Sequence, residues 1–309
     1  MTIPEKIQFI QRFSGLTQAG LANRLGVTFA ALNRWFNGKA VPRNKMQEKI
    51  DELYREYSGK KEIPESVRDA KKGIIFKKSR SHKNVVKEIL NNPDILDEFL
   101  LSLTYHSNRI EGSTLTENET AAIIFQNAAL PNKSLVEQLE AKNHETALRY
   151  LFDYVAAKKP VNEELVLKLH GILMNAIRPD AGSYRNHPVR IAGAYVPTAN
   201  YLKVPQLMKK LIQDIDTNDP DIVLNAALIH SRFEQIHPFS DGNGRVGRIL
   251  MHAMLLHGNL PPAIIRQEKR RLYNLYLNIA QLKDDLSGFD DFVADAVLEG
   301  FKVLERKKR

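Results

Sequence analysis

The sequence predicts a mainly α-helical protein in two parts: a small helical unit at the N-terminus and a larger helical body interrupted by one small β-hairpin. Three observations lead there. Apolar residues recur at helical spacing, as in Leu96, Phe99, Leu100 and Leu103. Good helix-start residues stand where such runs begin, among them Thr17, Thr28 and Thr116. Only Arg185 to Pro197 alternates clearly, with Val189, Ile191, Tyr195 and Val196 around Ala192-Gly193-Ala194, the pattern of a short hairpin. With 309 residues, 43% of them hydrophobic, the chain can bury one sizeable core and a small satellite.

In the first unit, Thr17 and Thr28 cap two short helices and Gly26 stands at the tight turn between them. Leu21, Leu25, Val27, Leu32 and Trp35 are spaced to fill a small shared core, and Gly20 is a mildly unfavourable helix residue. A further helix over Asn44 to Tyr57 places Met46, Ile50, Leu53, Tyr54 and Tyr57 on one face. Residues 1–58 resemble a lambda-repressor-like helix-turn-helix. The resemblance implies double-stranded DNA as a partner, with Gln18 on phosphate and the helix from Thr28 to Arg34 in the major groove. Thr28, Phe29, Asn33 and Arg34 are then the candidate readers of base edges. Charge agrees, because Lys6, Arg12, Arg24, Arg34, Lys39, Arg43 and Lys45 face a single acid, Glu5, before residue 48. Such modules usually bind paired half-sites, which makes a homodimer plausible and leaves the oligomeric state open. A helix-turn-helix used only to dock a protein is the competing use.

Residues 59–91 are rich in lysine, contain Gly59, Pro64 and Gly73, and show no sustained period. They read as a linker with solvated lysines, Ile74-Ile75-Phe76 being the one stretch suited to docking. A helix should begin at Asn92, with Pro93 in its first turn. Near its end, Ser107 and Glu111 are four apart and hence on one face, and Gly112 suits the terminus. Thr116 and Glu119 form a capping box that opens the next helix. Residues 92–114 are therefore set apart as one helical segment, and 115–309 as the main domain.

The densest chemistry lies in His237-Pro238-Phe239-Ser240-Asp241-Gly242-Asn243-Gly244-Arg245-Val246-Gly247-Arg248. Pro238 cannot continue a helix and should push His237 into an extended conformation, just past an upstream helix. Histidine suits proton abstraction near neutral pH. Asp241 is a hard oxygen ligand suited to Mg²⁺ shared with phosphates. Gly242 and Gly244 let backbone N–H groups converge on an anion, and a helix starting near Arg245 adds its N-terminal partial charge. Arg245 and Arg248, three apart, can both fork onto phosphate oxygens. Gly242-x-Gly244-x-x-Gly247 also satisfies a dinucleotide-binding pattern, but that needs a preceding strand, and Ala226 to Glu234 looks helical. His230, Glu234 and His237 could share a metal on one helical face; the break at Pro238 favours a packed His230 and a catalytic His237 instead.

This stretch resembles the Fic-family signature, His-Pro-Phe-x-x-Gly-Asn-Gly-Arg-x-x-Arg, at every specified position. The resemblance implies a Fic-type helical core that moves AMP from ATP to a Ser, Thr or Tyr hydroxyl of a target protein or of itself. His237 would then deprotonate the hydroxyl and Asp241 would hold Mg²⁺. Phe239, Gly242, Asn243 and Gly244 would stand on the nucleotide side, while Arg245 and Arg248 neutralise the leaving pyrophosphate. In the same family a hairpin flap aligns target segments, implying that role for Val189, Arg190, Ile191, Ala192 and Gly193. Arg270-Arg271-Leu272-Tyr273 and Leu277-x-x-Ala280-Gln281 resemble the adenine-side helix; Tyr273 and Gln281 become adenine contacts, although the usual tyrosine pair and later Asn are here Asn274 and Gln281. Ser107-x-x-x-Glu111-Gly112 resembles the family's inhibitory motif, so Glu111 would pair with Arg248 and leave ATP in an unproductive pose. Two rival functions share these residues: a hydrolase that removes AMP, and a transcriptional regulator that senses nucleotide.

Other features exclude whole classes. With no cysteine, disulfides and thiolate chemistry are ruled out. The chain is polar from Pro4 onward and holds no apolar run long enough for a membrane, so no signal peptide and a cytoplasmic location are expected. The net charge of +9 is spread over the chain and favours acidic partners without naming one.

Overall fold

The structure is a computed structural model that describes residues 1–58, 63–190, 196–215 and 219–306. The described residues hold fifteen α-helices and two short 3-10 turns joined by loops, and no strand occurs among them.

The first unit holds α1 (Ile3–Ser14), α2 (Gln18–Leu25), α3 (Phe29–Phe36) and α4 (Asn44–Tyr57). Thr17 and Thr28 cap α2 and α3 through their hydroxyls, and Gly26 takes the left-handed conformation that closes α2, with φ of 71°. Thr2 and Glu5 add a capping box on α1. Ile7, Ile10, Leu21, Leu25, Leu32 and Ile50 are fully or almost fully buried where these helices meet.

The expected linker is helical over most of its length, as α5 (Glu65–Ser79) and α6 (Val85–Leu90). Its lysines are not simply solvated. Lys72 lies 2.8 Å from Asp290, a carboxylate with no solvent exposure, and 2.5 Å from Asp221. Arg68 reaches the same Asp290 at 3.3 Å, and Lys71 pairs with Asp291 and Asp295. These acids lie more than 140 residues downstream, so no local period could report the helix. Within Ile74-Ile75-Phe76 only Ile75 is buried; Ile74 and Phe76 are exposed.

The body begins with α7 (Pro93–Glu111), whose Pro93 is in the first turn and whose Gly112 ends it with φ of 109°. The capping box of Thr116 and Glu119 opens α8 (Glu117–Gln126). Then follow α9 (Leu135–Ala156), α10 (Glu163–Leu173), α11 (Val204–Gln213), α12 (Ile222–Ile236), α13 (Asn243–His257), α14 (Arg270–Lys283) and α15 (Ser287–Leu304). At the centre stands α13, buried on nearly every face from Asn243 to Leu256, the signature of a helix wrapped by others. It packs on α12, α9, α10 and α7. One buried apolar cluster runs from Ile7 in α1 to Leu304 in α15, and α1 also rests on α14. A satellite cluster of Leu115, Ile123, Ile124 and Ala141 sits under α8.

The alternating stretch is not seen as a hairpin. Val189 and Arg190 have no regular structure, while Ile191, Ala192 and Gly193 lie outside the described residues.

Candidate active site

Helices α12 and α13 are joined by a six-residue loop, His237 to Gly242, which gathers most of the singled-out chemistry. His237 is not extended as Pro238 alone would dictate. It sits left-handed, with φ of 51° and ψ of 63°, where non-glycine residues are uncommon. Its N–H donates to the Phe233 carbonyl at 2.9 Å, terminating α12. Arg185 secures the other side: its Nε donates to the His237 carbonyl at 2.7 Å, and further guanidinium N–H groups reach the carbonyls of His187 and Ala199 at 2.8 and 2.5 Å. The Arg185 amide also donates to the Pro238 carbonyl at 3.0 Å. These bonds override the local preference.

The imidazole has a defined tautomer. Its Nδ1 lies 3.2 Å from the Glu234 carbonyl oxygen, which can only accept, so Nδ1 carries the proton and Nε2 keeps its lone pair. Burial pushes the His237 pKa down, the bond to Glu234 opposes this and the Arg185 charge adds to it, keeping the ring neutral near pH 7.

Loop shape rests on two buried groups. Asn243 bridges the loop reciprocally, its Oδ1 accepting from the Phe239 amide and its Nδ2 donating to the Phe239 carbonyl, both at 2.8 Å. Phe239, expected on the nucleotide side, has no solvent exposure; its ring stacks on His170 at 3.7 Å and anchors the loop from beneath. His170 accepts from the Gly182 amide at Nδ1 and donates from Nε2 to the Asp241 carbonyl at 3.2 Å. A second proton would break the first bond, and burial already pushes its pKa down to about 4.

Asp241 itself is half exposed, and its Oδ1 accepts from the Gly242 amide at 2.6 Å. Gly242 is left-handed, with φ of 77°, and serves as N-cap of α13. Helix α13 therefore starts at Asn243, two residues before Arg245, with its first amides at the loop. No cluster of three or more metal-binding side chains occurs among the described residues. One exposed carboxylate suits a hard cation that arrives with phosphates and keeps its waters, and Mg²⁺ is such an ion.

The two arginines of the signature are both occupied. Arg245, 3% exposed, places its NH1 at 2.6 Å from Glu140 on α9. Arg248 is held by α7: its Nε donates to the Ser107 hydroxyl at 2.9 Å, and its NH2 to the Ser107 carbonyl at 3.1 Å and to Glu111 Oε1 at 2.7 Å. The Glu111 side chain is 38% exposed, so one edge still faces solvent. Burial pushes its pKa up, yet Arg248, helped by Arg245 and Arg270, outweighs this and holds it below the usual range. Glu111 lies directly against Gly244, where a Cβ would stand 2.1 Å from Oε1. The position occupied by Glu111 is thus available only because residue 244 is glycine.

Behind these charges the pocket is lined with neutral groups. Tyr273, expected on adenine, is 3% exposed, with its hydroxyl 2.6 Å from His230 Nε2 and beside Arg248. Gln281, its partner in that expectation, donates to the Ser231 carbonyl at 3.0 Å. His230, His252 and His144 are all buried, and burial and the Arg248 charge both push their pKa values down. Arg185, His170 and Glu140 were missed in the sequence. Their partners are distant, and for the first two mainly backbone atoms, so no local pattern marks them.

The N-terminal residues are brought together as well. Asn33 donates to Gln18 Oε1 at 3.1 Å across the α2–α3 turn, and Thr28, Phe29 and Arg34 are exposed beside them.

Comparison with known proteins finds two family models on this chain. The Fic/DOC family model matches residues 160–255 and a helix-turn-helix model matches residues 14–58. A protein adenylyltransferase Fic from Nematostella vectensis is 36% identical over 199 residues, covering 62% of this chain and 45% of its own length. One of the same description from Drosophila erecta is 33% identical over 197 residues, covering 62% and 39%. The chain therefore spans less than half the length of these relatives. Among solved structures, a Fic-domain-containing signaling protein from Bacteroides thetaiotaomicron superposes with a TM-score of 0.65 at 23% identity, covering 77% of this chain and 98% of that one. Fic-1 from C. elegans superposes with 0.63 at 22% identity, covering 97% and 96%. The fold is shared with both.

Proposed function

We propose that this chain, which carries a Fic domain behind an N-terminal helix-turn-helix domain, is a protein adenylyltransferase restrained by its own Glu111. The observation that carries the reading is the tautomer and placement of His237: Nδ1 is committed to the Glu234 carbonyl, and a basic Nε2 is left beside a glycine loop at a helix N-terminus. Nε2 takes the proton of a target Ser, Thr or Tyr hydroxyl, and the oxygen bonds to the α-phosphorus of ATP. The bond from that phosphorus to the oxygen bridging to the β-phosphate breaks, and pyrophosphate leaves with the electron pair. The amides at the start of α13 and the guanidinium of Arg248 are suited to the charge that gathers on the departing oxygens. Mg²⁺, held by Asp241 and the phosphates, would add Lewis-acid charge neutralisation to the same oxygens.

Restraint follows from the contacts of Arg248. A guanidinium bound to Glu111 and Ser107 is withheld from phosphate, and the Glu111 carboxylate adds negative charge where the γ-phosphate would lie. Retention of α-phosphate label on protein tests this in the wild type, Glu111→Gly, His237→Ala and the double variant. Label should appear in Glu111→Gly far above the wild type and vanish whenever His237 is replaced. Absence of label from every variant, even with cell lysate as target, sinks the reading.

DNA recognition belongs to the proposal as well. The exposed Thr28, Phe29 and Arg34 beside the coupled Gln18 and Asn33 form a face suited to phosphate and base edges. Sequence-specific binding should depend on Asn33 and Arg34 and weaken steeply with salt.

A further inference from the structure

The transfer step uses the backbone of Glu234 and leaves its side chain idle, although that side chain is buried between His237 and Gly247 of α13. Glu234 is 7% exposed, and its Oε1 has no hydrogen-bond partner among the described residues. Its Oε2 lies 3.9 Å from His237 Nδ1. The carboxyl rests on α13 at Gly247, where a Cβ would come within 2.8 Å of Oε1, and no larger residue there would leave it room. A buried carboxyl with one unpartnered oxygen beside a catalytic base calls for an explanation.

We propose that Glu234 is a positioning residue of the transfer reaction, its carboxyl group taking over from Glu111 as counter-charge to His237 and Arg248 once the α7 carboxylate withdraws. This rests on the transfer reading above.

Its neighbours on α12 are His237 and His230, which meets the same face of Gly247; the charges of Arg248 on α13 and Glu111 on α7 act on it, and its own charge acts on Tyr273 of α14. Of these only Arg248 is a permanent cation, and it is bound to Glu111 at 2.7 Å. Burial and the Glu111 charge together push Glu234 up to about 8, while Arg248 pulls it down too weakly to prevail. With Glu111 in place Glu234 therefore remains a neutral acid at pH 7. Withdrawal of Glu111 removes the like charge and frees Arg248, and both changes favour loss of the proton from Glu234 to solvent. The carboxylate then lies beside the Nδ1–H of His237. It stabilises the imidazolium that forms when Nε2 takes the hydroxyl proton, as a carboxylate does behind a catalytic histidine elsewhere.

The sign of the effect is testable. A carboxylate near His237 raises the imidazole pKa, so its loss should move the acid limb of kcat/KM to lower pH and weaken the base. In the Glu111→Gly background, Glu234→Gln should lower the transfer rate about tenfold or more and shift that limb down by about one pH unit. Glu234→Asp should recover much of both. A loss of rate with an unmoved limb would overturn the proposal and leave Glu234 a packing residue.

A readout without catalysis separates this idea from the reaction itself. The ¹³C-carboxyl titration of Glu234, identified by difference against Glu234→Gln, should have its midpoint near 8 in the wild type. In Glu111→Gly it should fall by about one pH unit or more. An unshifted midpoint alongside label transfer overturns the Glu234 proposal alone. A shifted midpoint without any label transfer overturns the transfer reading and leaves the exchange of charge standing.

Discussion

Arg185 spends its guanidinium on main-chain carbonyls, three of them from different turns of chain, and so keeps His237 in a conformation that Pro238 opposes. A lysine has one point of charge and cannot reach all three. Arg185→Lys should therefore slow AMP transfer by about a hundredfold, through misplacement of the imidazole. It should lower stability by only about 1–3 kcal/mol, and comparison of the transfer rate with urea unfolding would separate the two effects. Protons offer a second test at this scale. His230 and His252 have their pKa values pushed down to about 3, and His106 and His170 to about 4, all chiefly by burial. A depressed histidine contributes stability that is present above its unfolded pKa, near 6.5, and is lost as pH falls toward the folded value. Glu234, raised to about 8, acts in the opposite sense, gaining as pH falls from about 8 toward 4.5. Four groups outweigh one at roughly 1.4 kcal/mol per group per pH unit, so the unfolding free energy should fall by a few kcal/mol between pH 6.5 and pH 5. A flat profile over that range would contradict the neutral assignments. His237 was legible in the sequence because a base, a hard oxygen ligand, Gly242, Gly244 and two arginines stand within twelve residues. Its backbone conformation was not, since the bonds that impose it come from residue 185 and from the end of α12.

Among the helices, those with caps were the readable ones. Thr17, Thr28, Thr116 and Gly112 mark ends that the backbone respects, because a cap is satisfied within a turn. Helix α5 was missed for the opposite reason: its anchors are acids on α15 and at the start of α12. Asp290 is fully buried, and burial raises its pKa even against the pull of Lys72 and Arg68. Removing Lys72 would leave that carboxylate half-compensated. Lys72→Met should cost about 3 kcal/mol, and Lys72→Met/Asp290→Leu should recover most of it, as denaturant midpoints would show. An equal loss in the double variant would mean that α5 is held by its apolar face alone. The hairpin expectation rests on alternation from Val189 to Val196, and five of those eight residues, 191–195, lie outside the described residues.

Over the whole molecule the small unit and the body share one buried apolar cluster, and α1 rests on α14, the helix that carries Tyr273 toward Arg248. A cluster continuous from Ile7 to Leu304 should unfold as one unit, giving a single calorimetric transition with equal calorimetric and van't Hoff enthalpies. Two resolved transitions would show that the helix-turn-helix domain is energetically separate. No helix among the described residues is long and apolar enough to cross a membrane. The Glu111–Arg248 pair is put to the test by a cycle of label-transfer rates over wild type, Glu111→Gly, Arg248→Gln and both together. If the pair restrains the site, Glu111→Gly gains at least about tenfold when Arg248 is present and nothing when it is absent. An equal gain in both backgrounds would show that Glu111 restrains the site without Arg248.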